Sequence, residues 1–146
     1  MKIERVSAAS EDVYAAIARL LPQLTNSGAP AWSREFFQRL VNFPGSILLI
    51  AREADGKIVG AATLSLVLAP TGEHARLEDV VVDEAARGRG IGAALTRAAI
   101  RLAGESGASY LALTSNPRRE AAHRLYQRLG FTRWETNVYR KEIGGA

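Results

Sequence analysis

Glu78-Asp79-Val80-Val81-Val82-Asp83-Glu84-Ala85-Ala86-Arg87-Gly88-Arg89-Gly90-Ile91-Gly92-Ala93-Ala94-Leu95 runs from an apolar β-branched segment, through a short polar link, into three alternating glycines. The valines read as a buried strand and the residues after Gly90 as the first turns of a long helix. Glycines at 88, 90 and 92 have no Cβ, so a ligand can approach the backbone closely. The first N–H groups of a helix have no intrahelical acceptor and point out of its end. With the positive end of the helix dipole they suit a phosphate or pyrophosphate, and Arg87 and Arg89 add charge at the rim.

Spacing separates the known phosphate-binding patterns. A P-loop needs a Gly-Lys-Ser/Thr ending, and no Lys-Ser or Lys-Thr pair occurs in the chain. The dinucleotide fingerprint fits loosely as Gly88-x-Gly90-x-x-Ala93, but it requires an acidic residue about 20 positions on. The next predicted strand instead ends in Thr114-Ser115-Asn116. In a Rossmann unit the glycines would follow the first strand of a βαβ unit, whereas here several strands precede them.

Working outward, Lys2 to Ser7 is a candidate strand. Ser10, with Glu11 and Asp12, starts a helix carrying Val13, Ile17, Leu20, Leu21 and Leu24 on one face and ending near Pro22 or Leu24. Residues 25 to 30 are a loop by composition, and Ser33 caps a second helix with Phe36, Phe37, Leu40 and Val41. That loop and aromatic helix could shape a pocket wall, but core packing is the preferred reading of the buried aromatics. Ile47 to Glu53 and Lys57 to Leu68 flank Asp55-Gly56, a strong hairpin signal. Pro70-Thr71-Gly72-Glu73 turns the chain again before a strand from His74 to Val82. The helix from Gly90 runs to about Gly104 with Ile91, Leu95, Ala98, Ala99 and Leu102 on its inner face, and Gly104-Glu105-Ser106-Gly107 ends it. Tyr110 to Thr114 is a short buried strand, parallel to the one before the glycines because a helix joins them. Pro117 opens a further helix, Gly130 stops it, and Phe131 to Lys141 supplies the closing strand or strands.

At 146 residues the chain suits one domain over 1–146, burying roughly two-thirds of its unfolded surface. Apolar residues make up 47% and charged residues 23%, an ordinary globular balance that excludes fibrous or disordered classes. The net charge of +4 fits a polyanionic ligand but does not choose one. Without cysteine there is no disulfide, no cysteine nucleophile and no cysteine-based zinc site. With only His74 and His123, no metal site is expected, and both histidines read as surface or structural residues. No signal-type stretch and no run of about 18 apolar residues is present, so the expectation is a cytoplasmic protein without a membrane span.

The motif Arg87-Gly88-Arg89-Gly90-Ile91-Gly92 after a Val-rich strand matches Arg/Gln-x-x-Gly-x-Gly/Ala. Downstream, Asn116 is followed by Ala122-His123-Arg124-Leu125-Tyr126-Gln127-Arg128-Leu129-Gly130-Phe131. In this order the two stretches resemble the hallmarks of the GCN5-related N-acetyltransferase (GNAT) superfamily. The resemblance implies an α/β (α+β) single-domain fold, a mixed central sheet of about six to seven strands flanked by about four helices. It also implies an acyltransferase that uses acetyl-CoA as cosubstrate. Carried over by position, Val81 and Val82 offer backbone to the pantetheine arm, and Arg87, Gly88, Arg89, Gly90, Ile91 and Gly92 hold the pyrophosphate. Asn116 lies beside the acetyl-bearing arm. Tyr126 corresponds to the general acid that protonates the departing thiolate.

Glu78, on the strand leading to the motif, is the candidate general base, with a water chain as the alternative. Strand pairing alone would also explain an acidic residue there, and core packing would explain Tyr126. Arg118, Arg119, Arg124 and Arg128 read as a solvated helix face from which one or two side chains reach the adenosine 3′-phosphate. The expected acceptor is a primary amine of a small molecule, reached by direct transfer in a ternary complex because no cysteine is available to carry the acetyl group. Two other readings stay open: a non-catalytic acyl-CoA-binding regulatory domain, and an acetyltransferase acting on protein or aminoacyl-tRNA. Nucleic acid is otherwise not expected as a partner, and the resemblance also admits a homodimer.

Overall fold

The computed structural model describes residues 1–25 and 31–144, so most of the loop expected at 25–30 lies outside the described residues. The chain forms two compact units, Met1–Thr114 and Ser115–Ala146.

The first unit is a five-stranded sheet in the order β1-β2-β3-β4-β5: β1 Lys2–Arg5, β2 Ser46–Arg52, β3 Ile58–Ala69, β4 Gly72–Val82 and β5 Leu111–Ala112. The first four strands are successively antiparallel, and β5 runs parallel to β4. The β2–β3 hairpin closes at Asp55-Gly56, where Gly56 has φ +92° and Asp55 Oδ1 accepts from the Lys57 N–H at 2.9 Å. The β3–β4 hairpin closes over Pro70-Thr71, with Ala69 opposite Gly72, so β4 starts two residues earlier than the sequence suggested.

The two sheet faces carry separate cores. On one, α3 (Ile91–Ser106) buries Ile91, Leu95, Ala98, Ala99 and Ala103 against Leu49, Val59, Leu64 and Leu77. On the other, α1 (Glu11–Leu24) lays Val13, Ala16, Ile17 and Leu20 against Ile50, Ile58, Ala61 and Val81, with Phe37 of α2 (Arg34–Asn42) in the same cluster. Ser33 caps α2 as its composition predicted, its hydroxyl accepting from the Phe36 N–H at 3.1 Å. Tyr14 and Trp32 stack with centroids 5.7 Å apart, and the Trp32 indole N–H donates to the Tyr14 carbonyl at 3.2 Å.

The second unit contains α4, Glu120–Arg128. It starts three residues later than Pro117 would allow. The Asn116 side-chain oxygen accepts from the Arg118 N–H at 2.9 Å, and the Arg119 N–H donates to the Asn116 carbonyl at 3.0 Å. This local side-chain turn competes with helix over those residues. Gly130 ends the helix at φ +91°, with the Phe131 N–H returning to the Tyr126 carbonyl at 3.0 Å.

The strand count needs correction. The sheet has five strands where six to seven were expected, and among the described residues no strand forms between Phe131 and Lys141. A strand exists only by pairing, and the described residues of the second unit include no strand for this stretch to pair with.

Candidate active site

The site begins as a defect in β4. Thr63 pairs with Glu78 and Ala61 with Val81, so two steps along β3 match three along β4 and one extra residue bulges out. Asp79 takes the strain with φ +52°, a left-handed conformation that costs an ordinary residue about 1 kcal/mol and that aspartate tolerates better than most. Because side chains alternate along a strand, one inserted residue swaps the faces. Before the bulge Ala75 and Leu77 point into the α3 core. After it Val80 and Val82 take that role and Val81 turns to the α1 side.

Just before the bulge β4 also loses its second neighbour, since β5 pairs with it only at Ala75 and Arg76. From Leu77 to Val82 that edge of β4 has no strand partner among the described residues, so it offers backbone groups to an extended ligand arm, although the Val82 carbonyl already accepts from Arg87 Nε. Val81 and Val82, the sequence-derived candidates for such pairing, lie on this stretch.

Glu78 is partly exposed, and its carboxylate accepts from Arg76 Nε at 2.9 Å, two residues back on the same face of the strand. Its neighbour Asp79 was not singled out from the sequence. Partial desolvation, reinforced by the Glu78 charge, holds the Asp79 carboxyl above the usual carboxylate range. The bulge that sets it apart is invisible in the strand's own sequence, because it exists only as a mismatch in count with β3.

Past Val82 the strand gives way to a short 3₁₀ turn over Glu84–Ala86 and then the glycines. Gly88 and Gly90 have φ +81° and +78°, and a Cβ built at either position meets nothing within 4 Å, so the backbone there borders open space. Gly90 is the N-cap of α3 and no side chain caps that helix end. Its amide donors are thus left for a ligand. Arg87 Nε donates to the Val82 carbonyl at 3.2 Å, and Arg89 Nη2 lies 3.0 Å from Glu53 Oε1. Further into the helix, the buried Thr96 hydroxyl donates to the Gly92 carbonyl at 2.7 Å.

The first turn of α3 sits close to the sheet because β3 carries Gly60 beneath it. A Cβ at Gly60 would lie 3.1 Å from Ile91 Cγ2 and 3.2 Å from Leu95 Cδ1. A Cβ there would require Ile91, Leu95 and the Val81 carbonyl, 3.2 Å away, to give by a few tenths of an ångström.

The remaining candidates belong to the second unit. The Asn116 side-chain oxygen is engaged by Arg118, which leaves its amide nitrogen as a donor. His123 Nε2 lies 3.0 Å from the Asn116 carbonyl, a local contact rather than a catalytic pairing. Tyr126 stands edge-on to Phe131, ring centroids 5.7 Å apart. Burial raises the Tyr126 pKa above its usual value, and the nearby Arg119 charge offsets this in part, so the phenol carries its proton at neutral pH. In the first unit, His74 stacks on Tyr110 at 4.8 Å. Among the described residues no group of His, Asp and Glu side chains is arranged to hold a metal ion, and no helix is long and apolar enough to cross a membrane.

The described geometry therefore offers an open strand edge leading to an uncapped helix N-terminus flanked by two arginines. Comparison with known proteins agrees with it. The model of the acetyltransferase (GNAT) family matches residues 13–131. A mycothiol acetyltransferase from Renibacterium salmoninarum is 36% identical over 98 residues, which is 66% of this chain, although the chain spans only 29% of that relative's length. Among solved structures, a putative acetyltransferase from Agrobacterium tumefaciens superposes with a TM-score of 0.84 at 26% identity, over 97% of this chain and 100% of that one. AAC(6′)-Iy, solved with a bisubstrate analogue of coenzyme A, shares the fold at 20% identity, with a TM-score of 0.80 and 97% of each chain covered. On the family match over most of its length and the sheet, bulge and glycine turn just described, the chain belongs to the GNAT family of acetyltransferases.

Proposed function

We propose that this acyltransferase moves an acetyl group from acetyl-CoA to a primary amine of a small molecule, by direct transfer while both substrates are bound. The observation that carries the reading is the glycine turn. Gly88 and Gly90 in left-handed conformations, with open space where their Cβ atoms would be, lead into an uncapped helix N-terminus. That is a cradle for a pyrophosphate, with Arg87, Arg89, Ile91 and Gly92 completing it. Val81 and Val82 would offer the open β4 edge to the pantetheine arm, and Asn116 its side-chain amide to the acetyl-bearing end.

In this reading the amine nitrogen attacks the thioester carbonyl carbon, the carbon–sulfur bond breaks and the thiolate takes a proton from the Tyr126 hydroxyl, while the proton that the nitrogen sheds as the amide forms returns through solvent to the Tyr126 oxygen. An alkylammonium is mostly protonated at neutral pH, so a proton must first leave the amine. Glu78 would accept it, directly or through water, in competition with its pairing to Arg76. The elevated pKa of Tyr126 supports the acid role, because an acid must still hold its proton when the leaving group departs. A small-molecule acceptor and a cytoplasmic setting belong to the same proposal. The chain's likeness to a mycothiol acetyltransferase, and in fold to AAC(6′)-Iy solved with an acetylneamine analogue, supports a small amine-bearing acceptor.

The test is to offer the purified protein and acetyl-CoA a panel of small amines, amino acids, amino sugars, aminoglycosides and short peptides while following free thiol. Thiol release that depends on one class of amine supports the reading. Release with peptide amines alone would move the acceptor to proteins.

A further inference from the structure

We infer that Asp83, Arg19 and Gln23 form a latch that holds the glycine turn in its ligand-ready shape, making all three positioning residues for the acetyl-CoA site. The inference rests on the reading of that turn as the acetyl-CoA site.

Asp83 is only 7% exposed, yet it is a carboxylate four positions before Arg87, where a negative charge opposes anion binding. Its presence calls for a positional reason, and its contacts supply one. Its N–H donates to the Val59 carbonyl at 2.8 Å, carrying the β3–β4 pairing one residue beyond β4. Its carboxylate receives Arg19 Nη1 at 2.6 Å and the Ala85 N–H at 3.3 Å, and Gln23 Nε2 lies 3.5 Å away. The same Arg19 donates through Nη2 to the Ile58 carbonyl at 2.5 Å, and the Gln23 side-chain oxygen accepts the Glu84 N–H at 2.8 Å.

Arg19 and Gln23 stand one turn apart on α1, beside its apolar face rather than on it. One helix on the α1 side of the sheet thus grips the turn that starts the glycine segment, while Ile91 on Gly60 fixes the segment's far end. Between these two fixed points lie Gly88 and Gly90, the most freely rotating backbone in the region. Pinning both ends removes before binding the conformational freedom that a ligand would otherwise have to freeze. Arg19 also neutralises the Asp83 charge next to the anion cradle.

Calorimetric titration of coenzyme A into the full chain and into Asp83→Asn, Arg19→Met, Arg19→Lys and Gln23→Ala, with thermal midpoints, tests the latch. Misplacing a binding loop by a fraction of an ångström justifies an expected rise in Kd of about tenfold for Asp83→Asn and Arg19→Met. Gln23→Ala should show a rise of about two- to threefold, since it removes one neutral cap. Arg19→Lys, which keeps the charge but not the fork, should fall between Arg19→Met and the parent. A merely structural role would lower the midpoint or the number of binding-competent molecules and leave Kd unchanged, and that result overturns the inference. If the Asp83 and Arg19 variants do not fold, Gln23→Ala decides, because its side chain is exposed: an unchanged Kd refutes the latch. A parent protein that does not bind coenzyme A at all would overturn the acetyl-CoA reading itself, which is a distinguishable outcome.

Discussion

The turn at 83–92 is tethered by side chains 36 to 64 positions away in the chain, from Glu53 to Arg89 and from Arg19 to Asp83. Within the second unit, by contrast, the contacts described for Asn116 and Tyr126 reach no further than seven positions, from Asn116 to His123. The first motif is therefore a backbone shape held by the whole sheet, in which few side chains have chemistry to perform. The second is a short helix that presents side chains, with its backbone satisfied locally. Binding by shape and reaction by side chain are accordingly expected to fail separately when each region is altered.

The largest effect should come from breaking the shape. Gly90→Val places a β-branched residue at φ +78°, which strains the cap by about 1–2 kcal/mol and forces the helix start to rearrange. Acetyl-CoA binding should fall below detection in calorimetry while circular dichroism still reports a folded chain. Intact binding would remove the pyrophosphate assignment. Tyr126→Phe attacks the other region. Removing a general acid typically lowers turnover on the order of 100-fold, so thiol release should drop by that much with the acetyl-CoA Kd unchanged. Unchanged turnover would return Tyr126 to a packing role.

A smaller effect follows acid. Burial disfavours the charged form of Asp83, but donation from Arg19, the Ala85 N–H and Gln23, with the Arg19 charge, outweighs it and leaves the carboxyl below its usual value. A group with a depressed folded pKa stabilises fully above its unfolded value and loses that contribution as pH falls through the folded one. Denaturation midpoints of the parent and of Asp83→Asn should thus differ at pH 7, begin to close as pH falls through the ordinary aspartate value of about 4, and meet only below the lower folded value. A gap that persists in acid would mean that shape rather than charge holds the latch. The smallest effect belongs to His123→Ala, which removes one contact to a carbonyl that Arg119 already satisfies. Turnover within about twofold is expected for loss of one redundant contact, and a large loss would give the histidine a chemical role.

What could be read from the sequence was local. Asp55-Gly56 closes its hairpin, Ser33 caps α2, and Gly107 ends α3 at φ +96° because each signal acts within one turn of backbone. The glycine turn was legible for the same reason. The bulge at Asp79 was not, since it is a difference in count between two strands. Nor was the latch, because nothing near Asp83 in sequence announces Arg19. The strand expected over 131–141 failed on the complementary ground: its composition suits a strand, but pairing is a property of two segments. At Asn116 a side chain able to replace a helical hydrogen bond delayed α4 past the proline that seemed to start it.

The most direct measurement is a calorimetric titration of the full chain with acetyl-CoA and, in parallel, with NAD, the ligand of the competing glycine fingerprint. One acetyl-CoA bound per chain with no detectable NAD binding is the predicted result. Binding of NAD in preference, or no binding of acetyl-CoA, would contradict the assignment of the glycine turn on which the proposed reaction depends.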